Sequence, residues 1–429
     1  MRTTGLEMFF SGEVFLAIRE AIKLSKFNAM QLITRGAKYM QMLSALLLFC
    51  LSAQGQLQMA TEVIVGADRP GAYLPLLYGK SVAVVVNQTS ITGHGHLIDF
   101  LIESKVDVKK VFAPEHGFRG KASAGELVKD GKDTKTGLPL VSLYGSNKKP
   151  SAQQLADVDI VVFDLQDVGT RFYTYISTLS YVMEACAENG KSMVLLDRPN
   201  PNGYYVDGPM LEKEHSSFVG LHPIPVVHGL TMGEYAMMLN GEKWIANGKR
   251  CPITVVKCTN WDHKMGYELP VKPSPNLPNR SSIVLYPSLC FFEGTTVSVG
   301  RGTDKPFQQI GAPYFTDAKT SFTPVANEGA KHPKYEGQKC YGYDLEEFSL
   351  FYVEGLGELY LHWLVEAYKS APDKAKFFTS FFVKLAGTHQ LQKDIEAGKT
   401  PDDIRAAWQE DLAVYKQMRK KYLLYPDFE

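Results

Sequence analysis

The segment Val111-Phe-Ala-Pro-Glu-His-Gly-Phe-Arg-Gly120 joins an apolar run to a group of chemically active side chains. The run Val106–Ala113 predicts a β-strand, which the following proline ends because it cannot donate to a sheet ladder. Glu115, His116 and Arg119 come directly afterwards. In open parallel sheets, ligands bind outside the carboxyl ends of the strands. A single loop of this kind is equally compatible with a surface ion pair.

Three other apolar runs end in the same way, which favours a shared functional edge over a chance ion pair. The runs are Ser81–Val86, Asp159–Phe163 and Met193–Leu196. The polar residues that follow them are Asn87 and Gln88 after the first, Asp164, Asp167 and Arg171 after the second, and Arg198 after the third. We therefore expect these side chains to gather at the carboxyl edge of one sheet.

Apolar runs and helical segments alternate from about residue 82 to residue 196. This alternation is typical of βαβ units and predicts an α/β fold with a mostly parallel sheet. The segment Tyr173–Asn189 has apolar residues at helical spacing, and Thr231 with Glu234 predicts a capping box at the start of another helix. The proline-rich segment Lys272–Asn279 is the best candidate for a domain boundary. Beyond it, mixed strands and helices predict a smaller α+β domain, in which Pro401–Tyr422 is expected to form one helix.

The first sixty residues differ from the rest of the chain. The apolar run Met42–Ser52 is shorter than the roughly 20 residues needed to span a bilayer. It is preceded by Arg35 and Lys38 and followed by small residues, which is typical of a secretory signal peptide. A buried core helix is the alternative. We predict a leader over residues 1–60, a catalytic domain over 61–280 and a C-terminal domain over 281–429. The mature protein is then exported to the periplasm or outside the cell of a bacterium.

Composition excludes several classes of protein. The 429 residues carry a formal net charge of zero, so bulk electrostatics indicate no nucleic-acid partner. Five cysteines remain after the leader, and an odd number argues against a full disulfide framework, although Cys251 and Cys258 could pair. No Cys/His spacing is typical of a metal site, and no cofactor is predicted. Complete phosphate-binding loop, dinucleotide-binding and nucleophile-elbow motifs are also missing from the sequence.

The predicted edge is rich in carboxylates, arginines and aromatic rings. Glycoside hydrolysis needs a carboxylic acid that protonates the leaving oxygen, and usually a second carboxylate that acts as nucleophile or base. Arginine suits an anionic substrate, because its planar fork matches a carboxylate. The candidate carboxylates are Glu115, Glu126, Asp164, Asp167 and Glu293, and the candidate arginines are Arg119, Arg171, Arg198 and Arg301.

Six segments closely resemble the NamZ-type exo-β-N-acetylmuramidase family. They are Asn87-Gln-Thr89, Ala113-Pro-Glu-His-Gly-Phe-Arg-Gly120, Asp164-Leu-Gln-Asp-Val-Gly-Thr-Arg-Phe-Tyr-Thr-Tyr175, Leu196-Asp-Arg-Pro-Asn-Pro201, Pro273-Ser-Pro-Asn276 and Gly300-Arg-Gly-Thr303. The resemblance implies a Rossmann-like domain, a smaller C-terminal domain and an active site between them. It also implies release of terminal N-acetylmuramic acid from the non-reducing end of peptidoglycan fragments.

The resemblance assigns the proposed catalytic glutamate to Glu115, which we expect to act as a general acid with a raised pKa. Asp167 and Glu293 are candidates for the second catalytic group. The expected substrate-binding residues are Asn87, Gln88, His116, Arg119, Asp164, Arg171, Tyr173, Tyr175, Arg198, Asn276 and Arg301. One of Arg171, Arg198 and Arg301 would pair with the lactyl carboxylate.

Two other functions remain open at this point. A non-catalytic muropeptide-binding protein of the cell envelope would keep the cleft without turnover. An esterase on the same sheet would need an activated serine, and the sequence offers none in a suitable motif. The sequence does not define the oligomeric state.

Overall fold

Twelve β-strands occur in the part of the chain that the computed structural model describes, residues 62–115, 117–118, 130–316 and 318–429. The predicted leader, His116, Arg119 and Glu126 lie outside these ranges. The strands are β1 (Ser81–Val86), β2 (Ile91–Thr92), β3 (Gly95–His96), β4 (Asp107–Ala113), β5 (Gly131–Lys132), β6 (Pro139–Ser142), β7 (Ile160–Asp164), β8 (Ser192–Leu196), β9 (Ile253–Val256), β10 (Gln309–Ala312), β11 (Thr320–Phe322) and β12 (Cys340–Asp344).

The α-helices of the described residues connect and cover these strands. They are α1 (Pro70–Leu77), α2 (Leu97–Glu103), α3 (Tyr175–Glu188), α4 (Met232–Gly241), α5 (Arg280–Leu289), α6 (Glu346–Phe348), α7 (Glu354–Leu356), α8 (His362–Lys369), α9 (Ser380–Ala386), α10 (Gln390–Glu396), α11 (Pro401–Ala406) and α12 (Gln409–Lys420). None of the helices in these ranges has the length and apolar character needed to cross a membrane.

A seven-stranded sheet in the order β5-β6-β4-β1-β7-β8-β9 forms the N-terminal part of the fold. All its neighbouring strands run parallel except the edge pair β5 and β6. The central strands read as continuous apolar runs because both faces of the sheet are covered. In β1, Ala83 and Val85 belong to one hydrophobic cluster, whereas Val82, Val84 and Val86 belong to another. The predicted mostly parallel α/β sheet is confirmed.

The two faces of the sheet have different partners. The cluster containing Ala83 includes the buried side of α3, whereas the cluster containing Val82 includes residues of α1 and α2. The first cluster continues as far as Leu412 and Tyr415 of α12. The C-terminal helices therefore share a hydrophobic core with the sheet.

The C-terminal part contains a three-stranded antiparallel sheet in the order β10-β12-β11, together with α5–α12. It confirms the predicted smaller α+β portion. The single helix expected over Pro401–Tyr422 is instead two, α11 and α12, separated at Ala407 and Trp408. Trp408 is buried and its indole N–H donates to Asp207 at 3.1 Å, so tertiary contacts turn the chain at this point.

Local capping explains where several helices begin. The predicted capping box at α4 is confirmed, because the Thr231 hydroxyl accepts from the Glu234 amide and the Glu234 carboxylate accepts from the Thr231 amide. Asn279 and Ser282 form an equivalent box at the start of α5. This second box fixes the direction of the helix that follows the proline-rich connector.

Candidate active site

A cavity of about 910 Å³ lies beside the ends of β4 and β6 and extends into the C-terminal part. Six of the side chains predicted from the sequence line it. They are Glu115, Tyr173, Tyr175, Asn276, Glu293 and Arg301. The structure therefore brings together carboxylates from both parts of the chain, one after β4 and one after α5.

Glu115 is half-buried and held by neighbouring hydroxyl groups. The Thr174 hydroxyl donates to Glu115 Oε2 at 2.7 Å, and the Tyr175 hydroxyl contacts the Glu115 carbonyl at 3.4 Å. Burial, followed by the charge of Glu115 and a hydrogen bond to it, raises the pKa of Tyr144. These contacts fix one carboxylate oxygen against the start of α3.

Asn87 and Gln88 form hydrogen bonds to segments next to the cavity. The Asn87 side-chain amide donates to the Tyr175 hydroxyl at 2.7 Å, and Asn87 is fully buried. The Gln88 amide donates to the carbonyls of Lys272 and Pro273 at 3.3 and 3.1 Å. Asn87 thus orients a tyrosine that lines the cavity, and Gln88 holds the connector just before the lining residue Ser274, although neither Asn87 nor Gln88 lines the cavity itself.

The proline-rich connector is fastened to the cavity wall on both sides. The Tyr173 hydroxyl donates to the Pro273 carbonyl at 2.8 Å. Three residues further on, the Asn276 amide donates to the Gly329 carbonyl at 2.7 Å. The connector therefore joins the end of the sheet to the loop between β11 and β12.

Glu293 and Arg301 form an ion pair in the opposite wall. Arg301 Nε lies 2.6 Å from Glu293 Oε1, and the guanidinium stands 5.3 Å from the centre of the Phe307 ring. Burial is the largest single effect on the pKa of Arg301 and lowers it, but the combined effects of Glu293, Tyr286 and Cys290 outweigh burial and the net shift is upwards. The Cys290 thiol contacts the second Glu293 oxygen at 3.6 Å.

Four other predicted site residues are buried in the scaffold and do not line the cavity. Arg198 makes a two-pronged ion pair with Asp164, at 2.5 and 2.9 Å. Asp167 accepts the Gly169 amide at 2.7 Å and lies 3.7 Å from the ring of His228. The fourth residue, Arg171, is fully buried, and its guanidinium donates only to backbone carbonyls.

Sequence reasoning missed several residues that line the cavity. Thr174 lies inside the motif that was quoted for its tyrosines, so its position beside Glu115 was within reach of the sequence. Lys148 lies 4.8 Å from the centre of the Phe218 ring, but the two residues are far apart in the chain and no local pattern marks them. Lys334 is the third, and burial lowers its pKa to about 8.

Of the cavity-lining residues within the described ranges, none belongs to a group placed to hold a metal ion. Among the described residues, one group of three potential ligands lies close enough together, Glu212, Glu214 and His215. None of them lines the cavity.

Models of one protein family match most of the chain. The family model described as "Exo-beta-N-acetylmuramidase NamZ, N-terminal" matches residues 82–281, and the C-terminal NamZ model matches residues 284–425. The chain belongs to the exo-β-N-acetylmuramidase NamZ family. A relative from Bacillus subtilis (strain 168), the peptidoglycan β-N-acetylmuramidase NamZ, is 40% identical over 380 residues, which cover 82% of this chain and 89% of the relative.

Two solved structures resemble this chain in fold. Both are crystal structures of DUF1343 family proteins from Bacteroides fragilis NCTC 9343. One is 45% identical to this chain with a TM-score of 0.80, and the match covers 86% of this chain and 100% of the solved chain. The other is 30% identical with a TM-score of 0.69 and covers 85% and 99% of the two chains. The large sheet and the smaller C-terminal part thus occur together in relatives.

Proposed function

We propose that this protein is an exo-acting glycoside hydrolase that releases terminal N-acetylmuramic acid from the non-reducing end of peptidoglycan fragments. Membership of the NamZ family and the name of the Bacillus subtilis relative support this activity. The observation that carries the proposal is the cavity in which Glu115 and Glu293 come together from the two parts of the chain. The product serves cell-wall turnover and recycling.

Glu115 is the general acid in this proposal. A general acid must present one carboxyl oxygen to the glycosidic oxygen in a fixed direction. The hydrogen bond from Thr174 holds Oε2, and the contact of Tyr175 with the Glu115 backbone limits movement of the loop. These contacts hold the carboxyl group in a fixed orientation in the cavity.

Glu293 is the second carboxylate and assists the attacking water or the 2-acetamido group of the sugar. It lies on the wall contributed by the C-terminal part and is paired with Arg301. Asp167 suits this role less well, because it is 4% exposed and does not line the cavity. The Arg301 guanidinium keeps Glu293 in one orientation through its Nε contact.

The cations of the cavity suit the lactyl carboxylate that distinguishes N-acetylmuramic acid from N-acetylglucosamine. Lys148 and Arg301 both line the cavity, each beside an aromatic ring. A cation in a cavity partly closed to water attracts a carboxylate more strongly than an exposed one does. Tyr173 and Tyr175 are buried side chains of the cavity wall, whose hydrogen bonds hold the Glu115 loop and the proline-rich connector in place. We also propose, from the signal-like run at Met42–Ser52, that the mature protein acts outside the cytoplasm.

The test is hydrolysis of a chromogenic β-N-acetylmuramide beside the matching β-N-acetylglucosaminide. We expect release from the muramide alone, and a loss on the order of 10² to 10⁴ in kcat for Glu115→Gln. Glu410→Gln is the matched control, because Glu410 is exposed on α12. Near-normal turnover by Glu115→Gln would reject the assignment of the acid. Binding of muropeptides without release would favour a non-catalytic envelope protein.

A further inference from the structure

Lys334 is part of the cavity wall and contacts the backbone on both sides of Glu293. It lies in the loop between β11 and β12. Its Nζ donates to the carbonyl of Phe292 at 3.3 Å, to that of Val297 at 2.9 Å, and to that of Thr295. An ammonium group has three N–H donors, so these carbonyls engage all of them.

The next residue extends this contact. The Tyr335 hydroxyl donates to the Thr296 carbonyl at 2.7 Å. Tyr335 has a backbone φ of +63°, in the left-handed region that non-glycine residues seldom adopt. Strain of this kind persists only where surrounding contacts enforce it, and it clusters at functional sites. Two adjacent side chains therefore hold the backbone that carries Glu293.

We propose that Lys334, together with Tyr335, is a positioning residue for Glu293, and that the protonation state of Lys334 sets the alkaline limit of activity. The inference rests on the proposed hydrolase function and adds a regulatory group to the same site. Lys334 does not act on the substrate in this scheme. It fixes the segment Phe292–Val297, whose geometry determines where the Glu293 carboxylate points.

The surroundings of Lys334 set the pH at which its ammonium group loses a proton. Burial lowers the pKa of Lys334 to about 8; the charge of Glu293 opposes this shift and that of Arg301 adds to it. A neutral amine has two N–H donors, so one of the three carbonyls loses its partner above this pH. The other titratable side chains on the facing elements are Tyr286, Cys290 and Tyr314, and those on the same loop are Glu328, Lys331, His332, Tyr335, Glu336 and Lys339.

The effect on stability has the opposite sign from the effect on activity. The pKa of Lys334 in the folded chain lies below its ordinary value of 10.5. Between these two values the unfolded chain binds more protons, so this group makes the folded state more stable as the pH rises. An alkaline loss of activity caused by Lys334 is therefore not a loss of folding caused by the same group.

The experiment measures kcat and KM on the chromogenic muramide from about pH 6 to about pH 10, with thermal unfolding of each variant. We expect the wild-type kcat to fall above about pH 8. Lys334→Met should lower kcat by roughly tenfold to a hundredfold, with KM within about twofold and no fall near that pH. Lys334→Arg should restore part of the activity and shift the alkaline fall in kcat, the alkaline limb of the pH profile, to higher pH. Tyr335→Phe removes one neutral hydrogen bond and should leave the limb in place.

The outcomes separate this inference from the proposed function. An active Lys334→Met variant that keeps the alkaline limb near pH 8, or an unchanged kcat in that variant, rejects the role of Lys334 alone. If Lys334→Met does not fold, a limb at the same pH in the wild type and in Lys334→Arg rejects it. Failure of the wild type to release anything at any pH rejects the hydrolase function, and the inference with it.

Discussion

Arg171 tests whether an arginine that follows a strand stabilises the fold or binds the substrate. The side chain is fully buried. One terminal nitrogen donates to the carbonyls of Pro209 and Ile224 at 2.8 and 2.7 Å. The other donates to those of Leu385 and Ala386 at 3.0 and 2.7 Å. One guanidinium therefore connects the segment after the sheet with the end of α9.

The magnitude follows from two opposing effects. Burial lowers the pKa of Arg171 from 12.5 to about 9, which corresponds to a cost of roughly 5 kcal/mol for keeping the charge inside. Hydrogen bonds to a charged group contribute about 1.5–3 kcal/mol each, so four of them outweigh that cost. Arg171→Met removes both effects but leaves four buried carbonyls without this donor. We expect a net destabilisation on the order of 3–5 kcal/mol.

The assay is urea unfolding of the wild type, Arg171→Met and Arg171→Lys, with kcat and KM measured where each variant is folded. The lysine variant keeps the charge but has fewer donors, so it should lie between the other two in stability. KM for the muramide should stay within about twofold in all three, because Arg171 does not line the cavity. Unchanged stability with a strongly raised KM would refute this reasoning and place the guanidinium on the substrate.

Three further predictions follow from single contacts. Thr174→Val should lower kcat by roughly tenfold, because it removes the hydroxyl that holds Glu115. Thr174→Ser keeps a hydroxyl and should retain most of the activity. Equal rates in the two variants would contradict this role of Thr174. Burial raises the pKa of Asp197 to about 6 from its ordinary value of 3.8, so the folded chain binds more protons between these values and loses stability as the pH rises from about 4 to about 6. The wild type should lose about 2 kcal/mol relative to Asp197→Asn over that range in urea unfolding, and parallel profiles would argue against it. Cys251 and Cys258 are buried and free, so a reducing agent should leave Tm unchanged, and a fall of several degrees would reveal a disulfide.

Much of the fold was predictable because its signals are local. The valines of β1 and the apolar runs of β4, β7 and β8 are short, continuous and followed by polar residues, which is typical of a buried parallel sheet. The capping box at α4 is equally local. The break between α11 and α12 was not predictable, because it depends on where Trp408 packs and on its partner Asp207, about 200 residues away in the chain.

The candidate site was predictable only in part. The motif around Glu115 indicated the end of β4, and the glycine-rich segment Gly300–Thr303 indicated Arg301. The structure places Glu115 and Arg301 in one cavity. Arg171 and Arg198 follow strands in the same manner, yet their side chains turn back into the scaffold. A pattern along the chain shows which residues reach the end of a strand, but not which way a long side chain points. Lys148 and Lys334 had no local signal, because the folded chain alone brings them to the cavity.

The measurement that tests the central claim most directly uses a short glycan with N-acetylmuramic acid at its non-reducing end and a label at its reducing end. The products of the wild type and of Glu115→Gln are followed over time by mass spectrometry. We predict that free N-acetylmuramic acid appears first, together with a labelled chain shorter by that one sugar, and that Glu115→Gln releases neither. Labelled fragments from internal cleavage, or equal release by Glu115→Gln, would contradict the account.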